Sequence, residues 1–158
     1  MKIGVISDTH GLLRPEAEAC LAGVAHIIHA GDIGRPEVIT GLSRIAPVMA
    51  IKGNVDTADW VARYPDTRTI KLGGRVIYVL HDLKELKLDP AAEGIDVVIS
   101  GHSHRPGIET ADGVLYVNPG SAGPRRFSLP ITVATLEVGK GGIRPVIHQL
   151  GAAKRGGR

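Results

Sequence analysis

Short apolar runs rich in Val and Ile alternate with helix-like segments in the first third of the chain. The runs at Lys2–Ile6, His26–His29 and 47–51 predict buried strands, because brief β-branched runs bounded by polar residues are typical of strands. Helices are predicted at 15–21 and 36–44, where a proline stands in each first turn. The order β-α-β-α-β predicts a parallel sheet with right-handed crossovers.

The rest of the chain changes to paired apolar runs joined by turns that contain glycine. Thr67–Leu72 and Arg75–Leu80 flank Gly73-Gly74, which predicts a β-hairpin because glycine readily adopts the positive φ of a tight turn. Further elements are predicted as a short helix at 90–93, a strand at 95–99, a hairpin of 108–110 and 114–117 around Asp112-Gly113, and a strand pair of 131–138 and 143–150 around Gly141-Gly142.

This pattern predicts one α/β domain over residues 1–150, with two packed sheets and helices outside them, and a disordered basic tail at 151–158. Of the 158 residues, 43% are hydrophobic but only 3% are aromatic, so the core must rest on Val, Ile, Leu and Ala. The formal net charge of +3 comes partly from the tail, and the remaining charge does not indicate a nucleic-acid surface.

The single cysteine, Cys20, excludes an internal disulfide and is compatible with a reducing compartment. No apolar run reaches the roughly 18 residues that span a bilayer. The sequence enters a strand directly, without the apolar region of a signal peptide. We therefore expect a cytoplasmic protein that does not associate with membranes.

Possible metal ligands follow the ends of five predicted strands. Gly101-His102-Ser103-His104 follows the strand at 95–99, and a sharp turn led by glycine lets its two imidazoles reach two nearby points. The complete set is Asp8, His10, Asp32, Asn54, His81, His102 and His104. Sites in open α/β sheets form at the carboxyl ends of strands, and these side chains carry the oxygen and imidazole donors that divalent cations bind.

The number and charge of these donors favour two metal ions. Seven donors without a thiolate exceed what one tetrahedral site needs, and they match two metals that share one carboxylate. Two divalent cations bring four positive charges, and Asp8 and Asp32 return two negative ones. About two positive charges then remain for a hydroxide and a phosphate oxygen. A neutral Asn54 suits this purpose, because another carboxylate would repel an anionic substrate.

The donors occur in five blocks: Asp-x-His, Gly-Asp, Gly-Asn, a lone His and Gly-His-x-His. In this order, and over nearly the whole chain, the set resembles the calcineurin-like metallophosphoesterase family. The chain length and Asn118-Pro119-Gly120-Ser121 resemble the small prokaryotic phosphodiesterase branch of that family. The fold implied by this resemblance is a four-layer α/β sandwich of two mixed β-sheets flanked by helices.

The resemblance also implies a ligand assignment and a reaction. One metal would be held by Asp8, His10, Asp32 and His104, and the second by Asp32, Asn54, His81 and His102. Manganese, iron, zinc or nickel would serve as the metals. A metal-bound hydroxide would attack a small phosphate ester, most simply a phosphodiester, in line with the leaving group. Asp32, Asn54 and His102 would then be catalytic residues as well as ligands, and Asn54 would hydrogen-bond a phosphoryl oxygen.

Three positions near these blocks can be compared with the pattern of the family. Many relatives have a histidine after the Asn, as a proposed general acid, where this chain has Val55. By similarity, Asp56 would orient a histidine behind the ligands. Relatives often have His-Gly where this chain has His81-Asp82, so Asp82 adds a carboxylate that either supports a ligand or crowds the turn.

Each of these motifs, taken alone, also has a purely structural explanation. Asp8 can cap a turn, Gly31-Asp32 and Gly53-Asn54 are common turn dipeptides, and a lone His81 can be a satisfied, partly buried side chain. The joint order of the five blocks is what favours a metal site.

Some polar and aromatic residues outside the blocks stay open between two interpretations. His29 is either structural or a support for the ligands. Arg125-Arg126 is either a solvated pair or a contact for substrate phosphate. Trp60 and Tyr64 either dock a segment over the core or line the rim of the site.

Two other functions compete with a dimetal phosphodiesterase. A protein-interaction scaffold is the alternative, since the retromer subunit of this fold family serves chiefly as a binding module. A nuclease is disfavoured, because the chain lacks added domains and an aromatic, basic groove for nucleic acid. The sequence leaves open whether the chain forms a homo-oligomer.

Overall fold

Two mixed five-stranded sheets form the centre of the computed structural model, which describes residues 1–126 and 128–150. The strands are β1 (Lys2–Ile6), β2 (His26–His29), β3 (Val48–Ala50), β4 (Thr67–Leu72), β5 (Arg75–Leu80), β6 (Val97–Ile99), β7 (Gly107–Ala111), β8 (Val114–Asn118), β9 (Thr132–Gly139) and β10 (Gly142–Gln149). The first sheet has the order β10-β9-β1-β2-β3, and the second has the order β4-β5-β6-β8-β7. The predicted tail at 151–158 lies outside the described residues.

The main hydrophobic core lies between the two sheets. Ile3, Val5 and Ile28 of the first sheet pack with Val97 and Ile99 of the second, and all five side chains are fully buried. These runs are apolar and β-branched, which suits strands that are covered on both faces. The core therefore joins the N-terminal β-α-β-α-β unit to the second half of the chain.

Two α-helices cover the outer face of the first sheet. They are α1 (Pro15–Cys20) and α2 (Pro36–Ser43), and each begins with the predicted proline. Ala17 and Leu42 pack into a second apolar cluster with Ile6 and Ile27 of the sheet. Trp60, in the 3₁₀ helix Asp59–Arg63, also packs against this cluster, as does Tyr64, so these two aromatic residues dock a segment over the core.

The outer face of the second sheet is covered by loops and the 3₁₀ helix Leu83–Glu85, where Leu86 and Leu88 pack on Leu80 and Val98. The predicted helix at 90–93 is wrong: residues 90–94 form a turn. Gly94 ends it, because its φ of 75° lies in the left-handed region and cannot continue a helix.

Most other predicted elements are observed with shifted ends. The strand predicted at 95–99 begins at Val97. The last hairpin turns at Lys140-Gly141 instead of Gly141-Gly142, because Gly142 pairs with Gly139 in the β9–β10 ladder. Among the described residues, no helix has the length and apolar character needed to cross a lipid bilayer.

The directions of the strands bring the carboxyl ends of strands from both sheets to one side of the fold. β1, β2 and β3 are parallel neighbours in the first sheet, and β5, β6 and β8 are parallel neighbours in the second. Carboxyl ends of parallel strands meet at one edge, where open α/β folds place their sites.

Candidate metal centre

The backbone turns sharply at the carboxyl ends of the strands. Five of the seven predicted ligands have positive φ: Asp8 (56°), His10 (45°), Asp32 (57°), His102 (70°) and His104 (64°). This left-handed conformation costs a non-glycine residue of the order of 1 kcal/mol or more, and such strain clusters at functional sites. The positive φ values let neighbouring side chains diverge, as predicted for His102 and His104.

Asp8, His10 and His104 form one group of possible ligands. One donor atom from each lies within 4.8 Å of the other two. The Oδ1 of Asp8 is 3.5 Å from Nε2 of His104 and 4.0 Å from Nε2 of His10. This group matches three of the four residues that the family resemblance assigns to one metal.

Asp8, Asp32 and His81 form a second group that shares Asp8 with the first. Nε2 of His81 lies 3.1 Å from Oδ2 of Asp32 and 3.7 Å from Oδ1 of Asp8. Oδ2 of Asp32 is also 3.7 Å from Nε2 of His10. Asp32 therefore stands between a histidine of each group, which is the position that a bridging carboxylate needs.

His102 and Asn54 lie at the exposed rim, outside these two groups. The ring of His102 is 5.3 Å from that of His81, and its Nε2 lies 3.7 Å from Oδ2 of Asp82. Asn54 lines a cavity of about 700 Å³ together with His81. The structure thus brings five of the seven predicted ligands together and places the other two beside them. Asp82 faces His102 rather than crowding the turn.

The donor atoms fit a cation, because several are buried without a hydrogen-bond partner. These atoms are Asp8 Oδ1, His10 Nε2 and His81 Nε2, while the nitrogen of His104 that faces Asp8 is Nε2 and its unpaired one is Nδ1. Buried polar atoms are nearly always hydrogen-bonded, so three unpaired atoms in one place need a ligand. Carboxylate and imidazole donors without a thiolate suit borderline divalent cations.

Charge coupling in the centre sets the protonation of its side chains. Burial raises the pKa of Asp8 to about 6, although nearby His81 opposes the rise. Burial acts against the charged form of Asp32 too, but the close contact with His81 and the hydrogen bond from the Val55 N–H hold its pKa at about 2. Burial likewise opposes protonation of His81, yet the Asp32 carboxylate and the Ala30 carbonyl raise its pKa to about 9.

A hydrogen bond orients His81, and burial with a nearby positive charge keeps His104 neutral. Nδ1 of His81 lies 2.7 Å from the Ala30 carbonyl oxygen, which can only accept, so Nδ1 carries a hydrogen and Nε2 is directed to the carboxylates. Burial, together with the positive charge of Arg126, lowers the pKa of His104 to about 4. His104 is therefore neutral near pH 7, as a metal ligand must be.

His29 lies fully buried behind the ligands. Its Nδ1 accepts a hydrogen bond from the Gly31 N–H at 3.1 Å, so its Nε2–H donates to Thr9 Oγ1 at 3.0 Å. The Thr9 hydroxyl in turn donates to the Ile33 carbonyl at 2.8 Å. His29 thus holds together the two loops that carry the ligands. Of its two interpretations, the structure favours a support for the ligands.

The hydrogen bonds of the Asp56 carboxylate go to backbone N–H groups. Its carboxylate accepts the N–H groups of Ile33, Gly34 and Gly53 at 2.9–3.1 Å. These bonds tie the loop of Asp32 to the loop of Asn54.

Sequence reasoning missed the glycines that make room for the carboxylates. A Cβ on Gly53 would collide with Oδ1 of Asp32, and one on Gly101 would collide with Ser7 and lie 2.7 Å from Oδ2 of Asp8. The signal in the sequence is a glycine directly before Asn54 and directly before His102, which by itself indicates only a turn.

Comparison with known proteins defines the class of the molecule. The sequence model of the calcineurin-like phosphoesterase superfamily domain matches residues 1–141 of this chain. The chain therefore belongs to that family. This confirms the predictions of the family, the fold class and a phosphoesterase enzyme.

Two relatives come from Methanocaldococcus jannaschii. The chain is 39% identical to the probable metallophosphoesterase MJ0623 over 130 residues, which cover 77% of this chain and 68% of the relative. It is 28% identical to the phosphodiesterase MJ0936 over 165 residues, which cover 93% and 99%.

Solved structures agree on the fold. A structure described as a novel archaeal phosphodiesterase has a TM-score of 0.78 and 27% identity, and the match covers 94% of this chain and 100% of that one. Zinc-complexed Vps29 from Entamoeba histolytica has a TM-score of 0.73 at 22% identity and covers 94% and 99%, a likeness that concerns the fold alone.

Proposed function

We propose that this protein is a phosphodiesterase that uses two divalent cations held by the seven predicted ligands. The observation that carries the proposal is the set of three buried donor atoms without hydrogen-bond partners, from Asp8, His10 and His81, beside Asp32. An uncharged packing site or an ordinary turn would not leave such atoms unpaired. The relative MJ0936, named a phosphodiesterase, supports a diester as the substrate.

The ligands would divide into two sets that share Asp32. The first set is Asp8, His10, Asp32 and His104, and the second is Asp32, Asn54, His81 and His102. When bound, the two cations would draw electron density from the phosphoryl oxygens and acidify a water molecule. Manganese, iron, zinc and nickel all suit these donors.

Residues around the centre would orient the ester without adding negative charge. The exposed amide of Asn54 can donate a hydrogen bond to a phosphoryl oxygen without adding negative charge. Arg126 lies near enough to His104 to lower its pKa, so its positive charge attracts an anionic substrate to that side. Val55 cannot protonate a leaving alcohol, which favours esters whose leaving group needs no proton.

Hydrolysis of bis(4-nitrophenyl) phosphate with added Mn²⁺ tests the proposal. We expect hydrolysis by the wild type, and its loss in Asp32→Ala and Asn54→Ala. The control is Asp59→Ala, which removes an exposed carboxylate in a 3₁₀ helix and leaves the rate unchanged. Equal rates in Asp32→Ala and the wild type would overturn the proposal.

A protein-interaction scaffold is the second candidate, and the fold likeness to Vps29 favours it. Wild-type protein that binds Mn²⁺ but hydrolyses neither aryl nor alkyl phosphodiesters would support this role. A nuclease is tested with single-stranded DNA, which we expect to stay intact. We also propose that the protein acts in the cytoplasm, since its one half-buried cysteine suits a reducing compartment.

A further inference from the structure

A cavity of about 580 Å³ opens beside His102. Asp82, Gly101 and His102 contribute to its lining, so it is continuous with the rim of the metal centre. Strands β7 and β8 and the 3₁₀ helix Leu83–Glu85 supply the rest of the wall. Its volume lies within the roughly 300–1,000 Å³ that small-molecule sites occupy.

The wall of this cavity presents apolar side chains to solvent. Five large hydrophobic residues are exposed in the described part of the chain, and two of them, Leu83 (41%) and Ile108 (45%), line this cavity. Half-buried Tyr116 of β8 also lines the cavity, from the outer face of the second sheet. Ile108 pairs with Val117, which is buried in the core between the sheets, so the Ile108 side chain lies on the opposite face of the sheet from Tyr116. Apolar side chains gathered in a concave site indicate an apolar ligand.

The neighbouring polar side chains are already used within the protein. Nδ2 of Asn118 donates to the Gly101 carbonyl at 3.0 Å and to Ser103 Oγ at 3.2 Å, while its Oδ1 accepts the Gly120 N–H at 2.9 Å. These bonds hold the turn that carries His102. Asn118 therefore shapes the cavity without offering its amide to a ligand.

Charge limits what the cavity accepts. Asp82 and Glu109 contribute two carboxylates and Lys84 one ammonium group. Oδ1 of Asp82 also accepts the Lys84 N–H at 3.1 Å, which fixes that carboxylate beside the cavity. Because the carboxylates outnumber the ammonium group, the cavity disfavours an anionic substituent and accepts a neutral one.

The cavity beside Asn54 has a different chemistry. It is lined by the charged side chains of Lys52, Asp66, Glu85 and Lys87 as well as by His81. A phosphodiester carries two substituents on one phosphoryl group, and the two cavities meet the same rim from different sides.

We propose that the cavity beside His102 is a subsite for one uncharged aromatic substituent of the phosphodiester. The ring would pack against Leu83 and Tyr116, since aromatic pairs gain from offset or edge contacts. The inference rests on the proposed function, which places the phosphoryl group at the neighbouring cations.

Binding of two simple phosphonates tests this subsite without catalysis. Phenylphosphonate and methylphosphonate carry the same anionic group and differ only in the ring. In calorimetry with Mn²⁺-loaded wild type, we expect phenylphosphonate to bind at least about 10-fold more tightly, because the ring leaves water for an apolar wall. Leu83→Asp should abolish this preference, whereas Leu83→Met should keep it. Thr110→Ala, on the exposed strand β7 but outside the cavity, should behave as the wild type.

Hydrolysis of bis(4-nitrophenyl) phosphate by the same preparation separates the two proposals. Hydrolysis together with equal affinities for the two phosphonates in the wild type overturns the subsite alone. A phenyl preference that survives in Leu83→Asp also overturns it. A phenyl preference that Leu83→Asp removes, without any hydrolysis, supports the subsite and overturns the phosphodiesterase. Absence of both hydrolysis and phosphonate binding overturns both proposals.

Discussion

Nε2 of His81 lies 3.1 Å from Oδ2 of Asp32, and both side chains are buried. The Asp32 carboxylate is the main reason why His81 keeps a proton against the effect of burial, with a pKa of about 9. In the protein without metal, this proton balances carboxylate charge that a bound cation would otherwise balance. The contact therefore couples metal binding to proton release.

We predict that Mn²⁺ binding at pH 7 releases close to one proton from His81. The metal-free side chain is protonated below pH 9, whereas a metal ligand must be neutral, so apparent affinity should rise as pH increases from 7 to 9. Calorimetry in buffers of different ionisation enthalpy measures the proton count. His81→Gln should lower the proton release, and an unchanged count in this variant would exclude His81 as its source.

Gly101→Ala should disturb the Asp8 side of the centre. The added Cβ would meet Ser7 Oγ and lie 2.7 Å from Oδ2 of Asp8, the atom that accepts the His102 N–H. We expect a loss of about 1–3 kcal/mol in the free energy of unfolding, together with weaker Mn²⁺ binding. Gly139→Ala is the matched control, because its Cβ would have no neighbour within 4 Å. Urea titrations with equal midpoints for the two variants would show that the close approach carries no cost.

His29 should make the metal-free protein less stable in acid. Burial lowers the pKa of His29 from 6.5 to about 4, so between these values the unfolded chain binds a proton that the folded chain does not. The contribution of this group to the free energy of unfolding must then fall by about 3 kcal/mol as pH decreases from 6.5 to 4. Asp8, whose pKa is raised to about 6, acts in the opposite sense, so the difference between the wild type and a His29 variant isolates the effect. Urea unfolding at several pH values measures this loss. His29→Gln should flatten the dependence in this range, and equal slopes in both proteins would refute the assignment.

Leaving-group preference should reflect Val55, which is exposed beside Asn54. Because no histidine stands there to protonate an alkoxide, we expect the wild type to hydrolyse aryl diesters far faster than dialkyl diesters. General acids typically contribute about 10²–10⁴-fold, so Val55→His should raise dialkyl hydrolysis at least about 10-fold and aryl hydrolysis much less. Val55→Gln, polar but unable to give up a proton, is the control. Similar turnover of both esters by the wild type would contradict this view.

The sequence was sufficient to predict which residues approach one another. Asp8, Asp32 and His81 each follow a strand end, and parallel pairing brings strand ends together whatever the loops do. The parallel unit and the hairpin at Gly73-Gly74 were predictable for a similar reason, since their signals are local.

Loop conformation was not predictable, because it depends on contacts between residues distant in the chain. The positive φ of Asp8 and Asp32, the packing of Gly101 on Ser7, and the three backbone bonds of Asp56 all depend on the assembled fold. The wrong helix at 90–93 has the same origin: a short helical signal ends at a left-handed Gly94. The cavity beside His102 exists only after β7 and β8 have paired.

Anomalous diffraction from crystals grown with Mn²⁺ and without chelator would locate the cations that this protein binds. We expect two manganese peaks per chain, about 3.5–4 Å apart, with an Asp32 oxygen bound to both. One peak, or peaks that Asp32 does not contact, would contradict a centre of two cations.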